Sequence, residues 1–189
     1  IVDTGTDRQP AIKVHVPTTN SPEAAEARQK AASEPKKANQ PPSRGPDSAE
    51  LDLYLNSNYS FDNYIEGDCN RLARSAGMAV AQRPGITSFN PLLIYGGVGL
   101  GKTHLVQAIG NHIKSHLRDK QVLYVSSDKF TNQFITAIKS NTLQDFTDFY
   151  MKVDTLILDD VQFLSGKEKT QDTFFHIFNH LHQSGRQII

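Results

Sequence analysis

Two stretches of this 189-residue chain carry residues whose types and spacing could do chemistry. The first is Gly96-Gly97-Val98-Gly99-Leu100-Gly101-Lys102-Thr103, which fits G-x-x-x-x-G-K-[ST], the phosphate-binding P-loop. Its glycines let main-chain N–H groups approach phosphate oxygens, and a helix that follows adds the positive end of its dipole. Lys102 would then reach the β and γ phosphates, and the Thr103 hydroxyl would join the ligand shell of a magnesium ion. The second stretch is Val153-Asp-Thr-Leu-Ile-Leu-Asp159-Asp160, an apolar run ending in paired acids about 55 residues after the P-loop lysine. As a Walker B element it would hold magnesium through Asp159, directly or through water, and orient an attacking water through Asp160. An apolar strand ending in acids is common by itself. Paired with a P-loop at this separation, it predicts a nucleoside triphosphate as the ligand.

Elements able to position both motifs follow from periodicity. An apolar run, Pro91-Leu-Leu-Ile-Tyr95, leads into the loop, and helical spacing follows from His104 to Leu117. Gln121-Val-Leu-Tyr-Val125 reads as a second buried strand. Ser126 or Ser127 is placed to cap a helix with Phe130, Phe134, Ile135 and Ile138 on one side, and Asn141 or Thr142 to start a shorter one through Leu143, Phe146 and Tyr150. An earlier amphipathic helix runs from Asn70 to Gln82 and stops at Pro84-Gly85; a later one carries Phe174, Ile177, Phe178 and Leu181 and stops at Gly185. Gln187-Ile-Ile189 begins another strand. Strands alternating with helices imply right-handed βαβ crossovers and a mostly parallel sheet, with both motifs at its C-terminal edge. The expected class is α/β, a three-layer P-loop NTPase.

Formal charge is 20 positive against 20 negative, so any nucleic-acid contact must come from a local patch. The single cysteine, Cys69, lies in what reads as a helix and cannot form an internal disulfide, which fits a reducing, cytoplasmic setting. No apolar run approaches the ~20 residues that span a bilayer, and no signal peptide opens the chain. His176 and His180 are an i, i+4 pair, but no nearby glutamate completes an H-E-x-x-H metal motif. Residues 1–50 hold seven of the nine prolines and none of the 16 aromatic residues, the composition of a disordered linker. Ile12, Val14 and Val16 alternate as a strand would, without an evident partner. Composition turns globular at Leu51, so the expected division is a linker over 1–50 and an ATPase domain over 51–189. The start at Ile1 suggests a further domain upstream.

Several longer stretches resemble the AAA+ domain of the bacterial replication initiator family DnaA. They are Tyr59-Ser-Phe-Asp-Asn-Tyr-Ile-Glu-Gly-Asp-Cys-Asn70, the extended loop from Gly96 to Leu105, Asp159-Asp-Val-Gln-Phe-Leu164, Gly166-Lys-Glu-Lys-Thr-Gln171 and Phe174-Phe-His-Ile-Phe-Asn179. The resemblance covers about residues 55–189 and implies a slow ATPase acting as a switch in origin opening. Tyr64, Ile65 and Asn70 would lie against the adenine, while Gly97, Gly99, Leu100, Gly101, Lys102, Thr103 and His104 would hold the rest of an ATP molecule with Mg2+. Asp159 and Asp160 would take the Walker B roles. The helices between Ser127 and Tyr150 look like the family's insertion, which lines a channel for single-stranded DNA in an assembled filament. By position, Ile135 and Lys169 would face that strand, with Lys167 a weaker candidate. Many AAA+ motors have Glu at the position of Asp160. The shorter Asp implies poorer water positioning and slow hydrolysis, suited to a switch.

The resemblance also implies parts absent from this sequence: a lid, an arginine finger, a polar sensor, and a helix-turn-helix for duplex origin DNA. Self-assembly into a filament and contact with a replicative helicase are implied as well. The strand starting at Gln187 would insert between the Walker A and Walker B strands. The 189-residue piece alone is therefore expected to bind ATP weakly, to lack activity and to aggregate through exposed strand edges. The alternatives are a helicase loader or regulatory initiator paralogue, a P-loop kinase acting on a small molecule, and a nucleotide-dependent scaffold without turnover.

Overall fold

Small residues decide how closely the first helix packs. A computed structural model describes residues 13–15 and 55–189. Helix α1, Arg71–Gln82, turns Ala73, Ala76, Gly77, Val80 and Ala81 inward. A Cβ added to Gly77 would sit 3.0 Å from Cδ1 of Ile109, so α1 lies flush on α2, Lys102–His116. On another side of α2, a Cβ on Gly110 would lie 2.8 Å from Leu55 and 3.0 Å from Ile157. Gly110→Ala is therefore expected to displace the ends of these two side chains and, after alanine's helix-propensity gain of about 1 kcal/mol, to destabilise the protein by about 1 kcal/mol. The midpoint of thermal unfolding checks this; an unchanged midpoint would mean that the neighbours yield without cost.

Strand β1 is Lys13–His15 and β2 is Leu93–Tyr95, and the two pair antiparallel, Val14 opposite Ile94. Strand β3, Val122–Ser126, pairs in parallel with β4, Thr155–Asp159, from Val122–Thr155 through to Ser126–Asp159. Strand β5, Gln187–Ile188, pairs in parallel with β4 at Thr155–Gln187 and Leu156–Ile188. The Leu92 amide donates to the Ile188 carbonyl at 2.9 Å, so β5 stands between the strand that leads into the P-loop and the strand that ends in Asp159. Fully buried Gln187 secures this join: its Nε2 donates to the Phe89 carbonyl and its Oε1 accepts from the Gly85 amide.

Helix α3, Ser127–Lys139, is capped by Ser126, whose Oγ accepts from the Lys129 amide. Helix α4, Leu143–Met151, follows Asn141 at φ 56. A short 3₁₀ turn, Val161–Leu164, precedes α5, Glu168–Gln183. Phe130 of α3 joins the layer together, its ring 5.0 Å from that of Tyr150 and 5.8 Å from that of Phe174, both edge-on. This cluster, with Leu123, Leu156, Ile177 and Leu181, forms one core on a face of the sheet; α1 and α2 form the other.

The alternation around Val14 does form a strand, Lys13–His15, because the edge of β2 offers main-chain groups to such a segment. The rest of 1–50, and the composition change at Leu51 through Tyr54, lie outside the described residues. Cys69 sits half-buried in a turn before α1 and not within a helix. That turn is closed by Asn70, whose Oδ1 accepts from the Gly67 amide. No helix among the described residues is long and apolar enough to cross a membrane.

Candidate nucleotide site

Strand β2 runs into the glycine-rich loop, and Gly101 at φ 80 is the residue from which α2 springs. A side chain there would be strained in the left-handed region, and its Cβ would meet the Tyr64 ring at 3.2 Å. The loop is open: Gly97, Gly99 and Thr103 are exposed, and Leu100 packs partly into the α1–α2 core. Lys102, the first residue of α2, donates from Nζ to the Gly97 carbonyl at 2.8 Å, which folds its ammonium back over the loop.

Beside the loop runs the segment from Tyr59 to Asn70. His104 is the join, its Nε2 within 3.0 Å of both the Ser60 carbonyl and Asn63 Oδ1. Its ring lies 4.8 Å from that of Tyr59 and 5.2 Å from that of Tyr64, edge-on in the second case. Tyr64 is buried, and that burial pushes its phenol above the usual range. Asn70 donates from Nδ2 to the Ile65 carbonyl at 3.0 Å and accepts from the Gly67 amide at 2.8 Å, holding the turn in shape. Ile65 is 88% exposed, an apolar side chain presented to solvent beside the loop. The structure thus sets Tyr64 and His104 at the start of α2, with Ile65 and Asn70 in the turn that follows Tyr64.

At the end of β4, Asp159 accepts from the Tyr124 hydroxyl at Oδ2, 2.9 Å, and from the Asp160 amide at Oδ1, 3.0 Å. The Ser127 hydroxyl donates to the Asp159 carbonyl at 3.0 Å. Burial first, and then the Asp159 charge, push the Tyr124 phenol far up, so it stays a donor. Asp160 has a left-handed backbone, φ 60, and is exposed; its Oδ1 accepts from Gln162 Nε2 at 3.0 Å. Lys102 and Asp159 are not in direct contact. They are linked through α2, which packs against β4 at Gly110 and Ile157.

The residues expected to face DNA gather elsewhere. Ile135 is 41% exposed on α3, and Lys169 is exposed in the first turn of α5. Lys167 precedes α5, its Nζ 3.4 Å from Thr131 Oγ1 and 3.8 Å from Asp128 Oδ1. Asp128, Thr131 and Ile135 recur at helical spacing, so Lys167 meets the same stripe of α3 one turn from Ile135. Sequence reasoning missed Tyr124 and Gln107, which appeared only as members of an apolar strand and a helix. The signal was a polar terminus at positions whose neighbours are all buried.

A phosphate loop opening a helix and an acid-ended strand of a parallel sheet, with helices packed on both faces, are the parts of an α/β P-loop domain. The family profile described as the bacterial DnaA ATPase domain matches residues 55–189, and the chain belongs to that family. It is 64% identical over 140 residues to the chromosomal replication initiator protein DnaA of Flavobacterium psychrophilum, covering 74% of this chain and 29% of that protein. The chain thus spans about three-tenths of the length of that relative. Among solved structures it is similar to a replication initiator DnaA bound to AMPPCP and single-stranded DNA, with a TM-score of 0.69 and 47% identity over 72% of this chain and 42% of that one. It is also similar to domain III of the Thermotoga maritima initiator, TM-score 0.68 and 49% identity, covering 71% of this chain and 55% of that one.

Proposed function

We propose that this chain is the ATP-binding, assembly-controlling part of an initiator of chromosomal DNA replication. The observation that carries the reading is the joint presence, in one family domain, of the open P-loop at 96–103, the acid pair at 159–160, and exposed Ile135 and Lys169 on α3 and α5. Loop amides at Gly99 and Gly101, at the start of α2, suit an anion. Lys102 would leave the Gly97 carbonyl for the β and γ phosphates, and Tyr64, Ile65 and Asn70 would flank the adenine.

The Thr103 hydroxyl and the Asp159 carboxylate are hard oxygen donors, the set that suits Mg2+ completed by phosphate oxygens and waters. When bound, magnesium would neutralise charge developing on the phosphates. Asp160 would accept a proton from the attacking water or hold it in line. Slow turnover makes ATP binding the assembled state of a switch and hydrolysis its release. Self-assembly into a filament, origin duplex binding through a further domain, and contact with a replicative helicase belong to the same proposal.

The test is binding of a labelled single strand by the full-length protein, read by fluorescence anisotropy with ATP, ADP or no nucleotide. ATP is expected to promote binding. Lys169→Ala is expected to weaken it about three- to tenfold and to lower the steepness of its salt dependence, because one phosphate contact per subunit is lost. Equal binding without nucleotide would overturn the reading of ATP as the assembly signal.

A further inference from the structure

A polar path crosses the apolar interior between the P-loop helix and the acid-ended strand. The Asn56 amide donates to Gln107 Oε1 at 2.9 Å. Gln107 lies on α2, is only 6% exposed, and its side chain sits beside the Tyr124 phenol. The Tyr124 hydroxyl donates to Asp159 Oδ2 at 2.9 Å, and Asp159 Oδ1 accepts from the next amide. A phenylalanine would fill the same space on β3, so the hydroxyl is what the arrangement specifically uses.

A carboxylate at the end of a strand has two free side-chain rotors, whereas a metal or its waters need an oxygen in a fixed place. Here one oxygen is held by the phenol and the other by a main-chain N–H, which fixes the carboxylate plane. Each oxygen keeps a further acceptor site. We propose that Tyr124, braced by Gln107, is a positioning residue that locks Asp159 for the magnesium–nucleotide complex and so ties the P-loop helix to the metal-facing acid. The inference rests on the nucleotide-binding reading above. It adds that the benefit of magnesium to ATP binding depends on two residues that touch neither.

The experiment measures ATP affinity of the full-length protein by calorimetry, in EDTA and over graded MgCl2. The variants are Tyr124→Phe, Gln107→Leu and Asp159→Asn. Tyr124→Phe is expected to raise the magnesium half-saturation and cut the magnesium-dependent gain in ATP affinity about five- to tenfold, as loss of a hydrogen bond to a charged group implies. Affinity in EDTA should stay at the wild-type level, a split that a merely structural role would not produce. Gln107→Leu should move the same quantities the same way by a smaller factor, and it serves alone if Tyr124→Phe does not fold. If Asp159→Asn removes the magnesium gain but Tyr124→Phe and Gln107→Leu both match wild type, the positioning role is overturned while the site stands. If a folded variant loses affinity equally with and without magnesium, the role is structural and the proposal also fails. If Asp159→Asn itself leaves the gain intact, the metal reading beneath the proposal is the part that is wrong.

Discussion

Replacing Lys102 with alanine in the full-length protein is expected to weaken ATP binding about a hundredfold, close to 3 kcal/mol, because two charge-assisted contacts to the β and γ phosphates would be lost. The structure supports a clean measurement. Lys102 Nζ donates only to the exposed Gly97 carbonyl at 2.8 Å, a bond that water replaces easily, so the fold should lose less than about 0.5 kcal/mol. Lys102→Arg is expected to fail nearly as badly, because a planar guanidinium does not fit a cradle shaped around a compact ammonium. Calorimetric titration with ATP and a thermal melt of the same samples check both statements. An affinity within about threefold of wild type would remove Lys102 from the site.

The parts of this domain that sequence makes visible are those governed by local rules. The glycines before Lys102 announce a tight loop before a helix, and the apolar run before Asp159 a buried strand, because both patterns are set by neighbours in sequence. Helix periodicity likewise located α3 and α4, and Ser126 and Thr142 proved to be the residues that start them. What stayed hidden depends on partners distant in the chain. Tyr124 meets Asp159 only because β3 and β4 pair in register, and Gln107 meets the Asn56 amide across some 50 residues of chain. Gln187 gave no hint that its side chain would bridge to Gly85 and Phe89. Nor does a lysine in sequence disclose that it rests beside an aspartate, as Lys167 does at Asp128. Strand alternation at Val14 and the apolar run before the P-loop were both legible, but their pairing across some 80 residues was not.

Asp160→Asn is expected to separate assembly from turnover. Asp160 occupies the left-handed region at φ 60, where asparagine is at least as comfortable as aspartate, so the backbone of the acid pair should be kept. Its Oδ1 accepts from Gln162 at 3.0 Å, and the oxygen of an asparagine amide can accept the same bond. Its main-chain carbonyl accepts from Phe163 at 3.0 Å whatever the side chain is. The substitution therefore removes the charge and the proton acceptor while sparing the shape. Turnover of ATP is expected to fall by about 10²–10⁴. ATP affinity should change by no more than about threefold, since Asp159 and its Tyr124 contact are untouched. Binding to a single strand should still require ATP, and the bound state should persist long after wild type has released. A time course of anisotropy after ATP addition, run beside a phosphate-release assay, distinguishes the outcomes. Loss of both hydrolysis and ATP-dependent binding would mean that assembly needs turnover, which is motor behaviour and not that of a switch. Unchanged hydrolysis would mean that another residue handles the water, and Asp160 would lose the role.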